Sequence, residues 1–268
     1  MSALTFSLKA APSQRLDLSK LTPDRLREMK QAEIQHIAIG MTREPLLVGD
    51  IFAVKGRDAA EIRFEGGSDR FDLLGHGMES GVIRVEGDVG LKAGRRMRGG
   101  EIEVRGNAGP WLGSQMSGGR IRISDNAGDK VGGPISGELA GMRGGLIVIG
   151  GKAGRQAGER MRRGMIVVSG TSGDYAGAAM IAGTLVLLGK TGHLPGYLMR
   201  RGSIVLARGA QSLAPSFADC GPHELAFAAL LGNMLADIEV KTGKLFKGAL
   251  RRLTGDLATL GKGEILLG

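Results

Sequence analysis

A methionine recurs through the middle of this sequence at nearly constant spacing. Met78, Met97, Met116, Met142, Met161, Met180 and Met199 are separated by 19, 19, 26, 19, 19 and 19 residues. A shared pattern, Met-x-x-Gly-x-φ-x-φ with φ aliphatic, runs from each, usually ending in further glycines. A repeat of fixed length restricts the fold severely: one supersecondary unit must stack on copies of itself to bury a common core. Nineteen residues are too few for a strand, a helix and two loops. Each unit is therefore read as short strands joined by corners.

The strand is visible in the alternation. Ile83 and Val85, Ile102 and Val104, Ile121 and Ile123, Ile147 and Ile149, Ile166 and Val168, Leu185 and Leu187, and Ile204 and Leu206 each lie two apart. That period places both members on one face. Glycine is 47 of 268 residues, more than twice its usual share. With no collagen period, the excess is assigned to corners that need positive φ or close backbone approach. The expected fold is an all-β solenoid, a right-handed parallel β-helix of 19-residue coils, with strands stacked about 4.8 Å apart. The methionines are expected as an internal ladder, a matter of core packing. A left-handed hexapeptide helix does not fit, because 19 is not a multiple of six. Glycine stretches such as 87–94 and 150–158 look like nucleotide loops but lack the helix such a site requires. The one long interval carries seven extra residues between Val131 and Gly141, expected as a loop on one face.

Three regions are expected: an α/β N-terminal cap with irregular first coils over 1–66, the repeats over 67–210, and a C-terminal helix and tail over 211–268. In the cap, 4–10 reads as a strand, Thr22-Pro23-Asp24 opens a helix running to about Gln35, and 46–56 and 60–66 read as imperfect coils. Residues 222–237 read as a helix apolar on much of its circumference, resting on the repeats or on a partner. The last stretch, 255–268, reads as a polar, glycine-containing tail.

Between the two aliphatics, one residue per strand points outward. Along the stack it is Arg84, Glu103 and Arg122, then Val148, Val167, Val186 and Val205. Leu146 and Met165 continue the apolar trend at the neighbouring outward position. An apolar face of this size requires a cover. Leu146, Val148, Met165, Val167, Val186 and Val205 are accordingly candidates for a subunit interface, with the 222–237 helix as the alternative cover.

A basic edge follows the methionines. Arg98, Arg143, Arg162 and Arg200 directly follow a Met, and Arg95, Arg96, Arg160, Arg163 and Arg201 lie beside them. These nine are candidate polyanion-binding residues, with a solvated edge as the plain alternative. The formal charge of +9 favours acidic partners without choosing among them. Nucleic acid is not expected, because aromatics are 4% of the chain and no binding module is recognisable. No catalytic or metal-binding constellation is found. His36, His76, His193 and His223 show no ligand spacing, and Cys220 is alone. Glu79, Glu86, Asp88, Glu101 and Glu103 recur without the stacked pair a carbohydrate-acting β-helix enzyme would need. No signal peptide and no membrane-length apolar run is present, so a cytoplasmic, soluble protein is expected.

The motifs MRGGEIEVRGNAG (97–109) and MRGGLIVIGGKAG (142–154) resemble the repeat domain shared by the formylmethanofuran dehydrogenase C subunit and the C-terminal part of the glutamate synthase large subunit. The tail GDLATLGKGEILLG (255–268) is similar to the end of the dehydrogenase C subunits. The resemblance is strongest over 75–209 and points most to the C subunit of the bacterial formyltransferase/hydrolase complex. It implies a non-catalytic scaffold subunit in one-carbon metabolism linked to tetrahydromethanopterin. The partners it implies are a metal-dependent formyl hydrolase subunit, a dehydrogenase-like B subunit and a formyltransferase subunit. It implies no cofactor on this chain and a methanofuran-type carrier in the complex, whose polyglutamyl tail gives the arginine edge a ligand. A tungsten or molybdenum formylmethanofuran dehydrogenase is the alternative complex.

Overall fold

The computed structural model of the chain describes residues 2–43 and 46–268. Thirteen strands form one large, mostly parallel sheet. They are β1 (Ala3–Leu8), β2 (Phe52–Lys55), β3 (Asp58–Glu65), β4 (Val82–Glu86), β5 (Glu101–Arg105), β6 (Arg120–Ile123) and β7 (Arg143–Ile149). They continue as β8 (Arg163–Val168), β9 (Thr184–Leu187), β10 (Arg201–Leu206), β11 (Ala218–His223), β12 (Leu250–Gly255) and β13 (Lys262–Leu267). From β3 to β10 each strand pairs in parallel with the next. The parallel run is prolonged by β1 beside β3 and by β13 beside β10. Antiparallel strands close both ends, β2 on β1 and β12 with β11 on β13.

Register keeps like residues in columns. Ile62, Ile83, Ile102, Ile121, Ile147, Ile166, Leu185, Ile204 and Ile265 pair in one inward column. All are buried. A second ladder lies elsewhere in each repeat, where Val89, Ala108, Ala127, Ala153, Ser172 and Thr191 make successive parallel bridges. The seven repeat methionines are fully buried. At the start of successive repeats the amides of Arg98, Ser117, Arg143, Arg162, Ile181 and Arg200 donate to the carbonyls of Met78, Met97, Met116, Met142, Met161 and Met180, at 2.7–2.8 Å.

The glycines three residues beyond each methionine explain the pairing of Met with Gly. A Cβ at Gly100, Gly119, Gly145, Gly164, Gly183 or Gly202 would stand 2.5–2.8 Å from the methyl carbon of the methionine one repeat earlier. The same six residues have φ between 77° and 106°, a region closed to most side chains. The methionine, a flexible filler, thus extends over backbone that must be bare.

The 131–141 insertion holds no strand, and its two ends return in register, since Arg143 donates to Met116 across it. At the N-terminal end, Phe6, Phe52, Phe64 and Phe71 form an aromatic plug with ring centroids 5.0–6.2 Å apart. It covers core that the first repeat would otherwise expose.

The helical and C-terminal sequence expectations are corrected. The helix expected over 22–35 is two short ones, α1 (Pro23–Leu26) and α2 (Gln31–Gln35). The Glu33 carboxylate accepts the Lys30 amide at 2.6 Å and starts the second one. A further single turn, α3 (Val48–Ile51), leads into β2. The expected tail, meanwhile, contains β13, which adds one more rung after the 222–237 helix region. That helix is α4 (Ala226–Asp237), shorter than expected because Ala218–His223 is strand. No helix among the described residues is long and apolar enough to cross a membrane.

Replacing Gly119 by Ala must displace the Met97 methyl and the Gly100 carbonyl. The expected loss is about 1–3 kcal/mol, read as a lower denaturant midpoint. Gly248 has nothing within 4 Å of a built Cβ, so Gly248→Ala is expected to stay within about 0.5 kcal/mol of the parent.

Candidate functional site

The outward column of the sheet changes character as its sequence does. Arg63, Arg84, Glu103 and Arg122 lead into Val148, Val167, Val186, Val205 and Leu266. In the charged half, Arg84 pairs with both Glu61 and Glu103. Of the acids that recur there, Glu79 is engaged with Arg98, Glu86 with Arg105, and Asp88 with the Asn107 amide and side chain.

The apolar half is covered from within the chain. Val148, Val167, Val186 and Val205 are buried in one cluster with Ala228, Leu231 and Leu235 of α4 and with Ile238, Val240, Phe246, Leu250 and Leu266. Leu146 and Met165 are half-buried against the same cluster. The four valines offered as a subunit interface are therefore closed to a partner. Physically, an Ala- and Leu-rich stretch forms helix readily, and its buried stripe meets the nearest apolar surface. A different apolar stripe of α4 stays outside: Phe227, Leu230 and Met234 are exposed, Leu230 at 69%. Leu139, within the insertion, is also exposed.

The arginine edge divides into two parts. Arg95 does not belong to the open edge. Its side chain is 9% exposed and forks onto Glu138, Nη2 to Oε1 at 2.6 Å and Nη1 to Oε2 at 3.3 Å. Ser114 accepts from the same Nη1 at 3.2 Å. Arg96 stands 3.8 Å from Glu138, Arg98 2.6 Å from Glu79, and Arg160 donates to the Glu138 carbonyl at 3.4 Å. Beyond the insertion, Arg143, Arg162, Arg163, Arg200 and Arg201 are all exposed. Among the described residues no ion pair involves them. Arg143 lies in register with Arg163, and Arg201 with Lys262. Cations at these positions recur on neighbouring strands, with no carboxylate at ion-pair distance among the described residues.

Sequence reasoning missed Glu138, although it is the one charged residue within the insertion. Burial acts to raise its carboxyl pKa. The Arg95 hydrogen bonds, the Ile135 amide and the charges of Arg95 and Arg96 outweigh burial and hold it below the ordinary carboxylate value. The insertion is thereby latched across the repeats beneath it.

These features define a class: a glycine-rich repeat protein with a plugged end, a self-covered apolar half and an open arginine edge. A family model described as GXGXG motif matches residues 52–217. Over 98% of its length and 98% of the relative, the chain is 48% identical to the C subunit of the formyltransferase/hydrolase complex Fhc of Methylorubrum extorquens. It also matches a chain of the crystal structure of the FhcABCD complex from that organism, solved with methylofuran. The TM-score is 0.94 at 41% identity, covering 98% of both chains. The chain belongs to the family of the Fhc C subunit.

Replacing Glu138 by Gln leaves Arg95 buried and half-paired, at an expected cost of about 2–4 kcal/mol near neutral pH. The depressed carboxyl gives the sign of the pH dependence. The latch contributes fully above the unfolded carboxylate pKa of about 4.3 and is lost as pH falls through the lower folded value. Denaturation midpoints of parent and variant should therefore differ at pH 7 and converge toward pH 3.

Proposed function

We propose that this chain is the C subunit of a formyltransferase/hydrolase complex and acts there as a non-catalytic scaffold. Its repeats wind as a right-handed parallel β-helix, with 1–66 as cap, 67–210 as the repeat body and 211–268 as helix and return strand. The observation that carries the reading is the end-to-end match to a solved chain of such a complex, 98% of both chains at a TM-score of 0.94. The cap, the insertion and the C-terminal cover are included in that match, not the repeats alone.

The partners are a metal-dependent formyl hydrolase subunit, a dehydrogenase-like B subunit and a formyltransferase subunit, which carry the chemistry. Two apolar features support an assembly role, the outer stripe of α4 and Leu139 of the insertion. Both are exposed among the described residues, and the other stripe of α4 is already taken up by the valine column. The relative's complex was solved with methylofuran. A carrier of that kind with a polyglutamyl tail suits Arg143, Arg162, Arg163, Arg200 and Arg201, which can give charge-assisted hydrogen bonds to successive carboxylates. Arg96, Arg98 and Arg160 extend the track with weaker effect, since carboxylates or carbonyls of the chain already engage them.

Two tests separate scaffold from track. Leu230→Asp places a charge on the outer stripe without entering the core. The expected result is a folded chain that no longer co-purifies with its partner subunits; retained assembly contradicts the α4 interface. Changing Arg162, Arg163 and Arg201 to Gln should lower kcat/KM for a polyglutamylated carrier about tenfold at low salt and flatten its salt dependence. Unchanged rates and an unchanged salt slope contradict the track.

A further inference from the structure

A cleft of about 360 Å³ lies between α1 and the first methionine repeat, lined by Thr22, Asp24, Arg25, His76, Gly77, Glu79, Arg96 and Arg98. Its charged groups are not equally occupied. Asp24 is fully engaged: its carboxylate accepts the Ser80 hydroxyl at 2.6 Å and the Glu79 amide at 2.8 Å. Glu79 is engaged with Arg98. Arg25 has no ion pair among the described residues, and Arg96 has only a long contact of 3.8 Å. Guanidinium charge therefore exceeds what the lining carboxylates neutralise.

His76 is the odd member of the set. The rings of His36, His193 and His223 each have a polar partner, Ala32, Ser212 and Cys220 respectively. The His76 ring has none among the described residues, although the residue is half-buried. A half-buried polar ring in that position gains from any acceptor brought beside it.

We propose that this cleft binds a single oxyanion, a carboxylate or phosphate group, through Arg25, Arg96 and Arg98, and that His76 takes up a proton as the anion enters. The site lies apart from the unpaired arginines beyond the insertion, shares Arg96 and Arg98 with the edge of the proposed track, and does not depend on the assignment to a formyltransferase/hydrolase complex. The surroundings of the imidazole support the direction of the linkage. Burial first, then Arg95, Arg96 and Arg25, hold His76 below its ordinary pKa, with Asp17 acting weakly the other way. Asp24 and Glu79 are tied up as described, and Arg98 adds to the positive side. An anion seated among these cations offsets their field and raises the imidazole pKa. Binding then consumes a proton, so affinity for an anion that does not itself titrate strengthens as pH falls through the imidazole range.

The test is histidine NMR on the full chain labelled at the imidazole carbons, titrated separately with inorganic phosphate and with triglutamate at several pH values. Four histidines give four signals, and His76→Gln assigns the relevant one. At least one anion should shift the His76 signal selectively and raise its pKa by about one unit. That shift requires about tenfold tighter binding at the acidic limit. The tighter of the two anions identifies the source, free phosphate or a carboxylate chain. Arg96→Gln should weaken binding about tenfold, and His76→Gln should bind with the pH dependence removed. If neither anion moves the His76 signal, or if Arg96→Gln binds as tightly as the parent, the proposal is overturned.

Discussion

The methyl group of each repeat methionine lies over the bare backbone of a glycine in the following repeat, and the rest of the molecule is arranged around that contact. It sets the repeat length, because Met and Gly must meet again from one repeat to the next. The carbonyl of the same methionine accepts an amide from the next repeat. One residue per unit thus supplies both core filling and backbone pairing. The insertion shows how firm the requirement is: after 26 residues rather than 19, Met142 is again fully buried and Gly145 again faces the Met116 methyl. Additional chain is tolerated only where it can leave and return without disturbing that column, and Glu138 then fastens it to Arg95.

A stack of this kind leaves two problems, its ends and its outward faces. The N-terminal end is plugged by four phenylalanines, and antiparallel strands finish the sheet at both edges. The outward face is treated in two ways. Ion pairs keep the first half wet, and α4 covers the second. The chain departs after β10, lays α4 over the valine column, and returns through β13 as one more parallel rung. What remains for other molecules is the part of the arginine edge beyond the insertion, which has no ion pair among the described residues, and the outer stripe of α4. Those two surfaces give the assembly reading its physical content.

The repeat body is legible in the sequence because its signal is local and redundant. Alternating aliphatics and recurrent Met and Gly leave little choice of strand, face or register. Features depending on distant partners are not legible. Arg95 follows the same pattern as Arg96, yet one is buried and the other exposed, because Arg95 meets Glu138, 43 residues away. The valine column shows that it needs a cover; only the fold shows that α4 supplies it. Lys262–Leu267 carries the same Gly-x-φ-x-φ pattern as the repeats, in Gly263, Ile265 and Leu267, but its distance from Met199 hides it from a search by period. The 22–35 segment shows tertiary context overriding local propensity, since Arg27–Lys30 are good helix formers that lie between two helices.

The proposed scaffold role requires a body that is formed before its partners arrive. Native-state hydrogen exchange on the isolated chain and on the assembled complex tests that most directly. The account predicts that the amides of Arg98, Ser117, Arg143, Arg162, Ile181 and Arg200 exchange among the slowest in the isolated chain, as one cooperative block spanning the insertion. Their protection should change little on assembly, while amides of α4 and the insertion slow further. Rapid exchange of the methionine ladder in the isolated chain, with protection gained only in the complex, would contradict a preformed body.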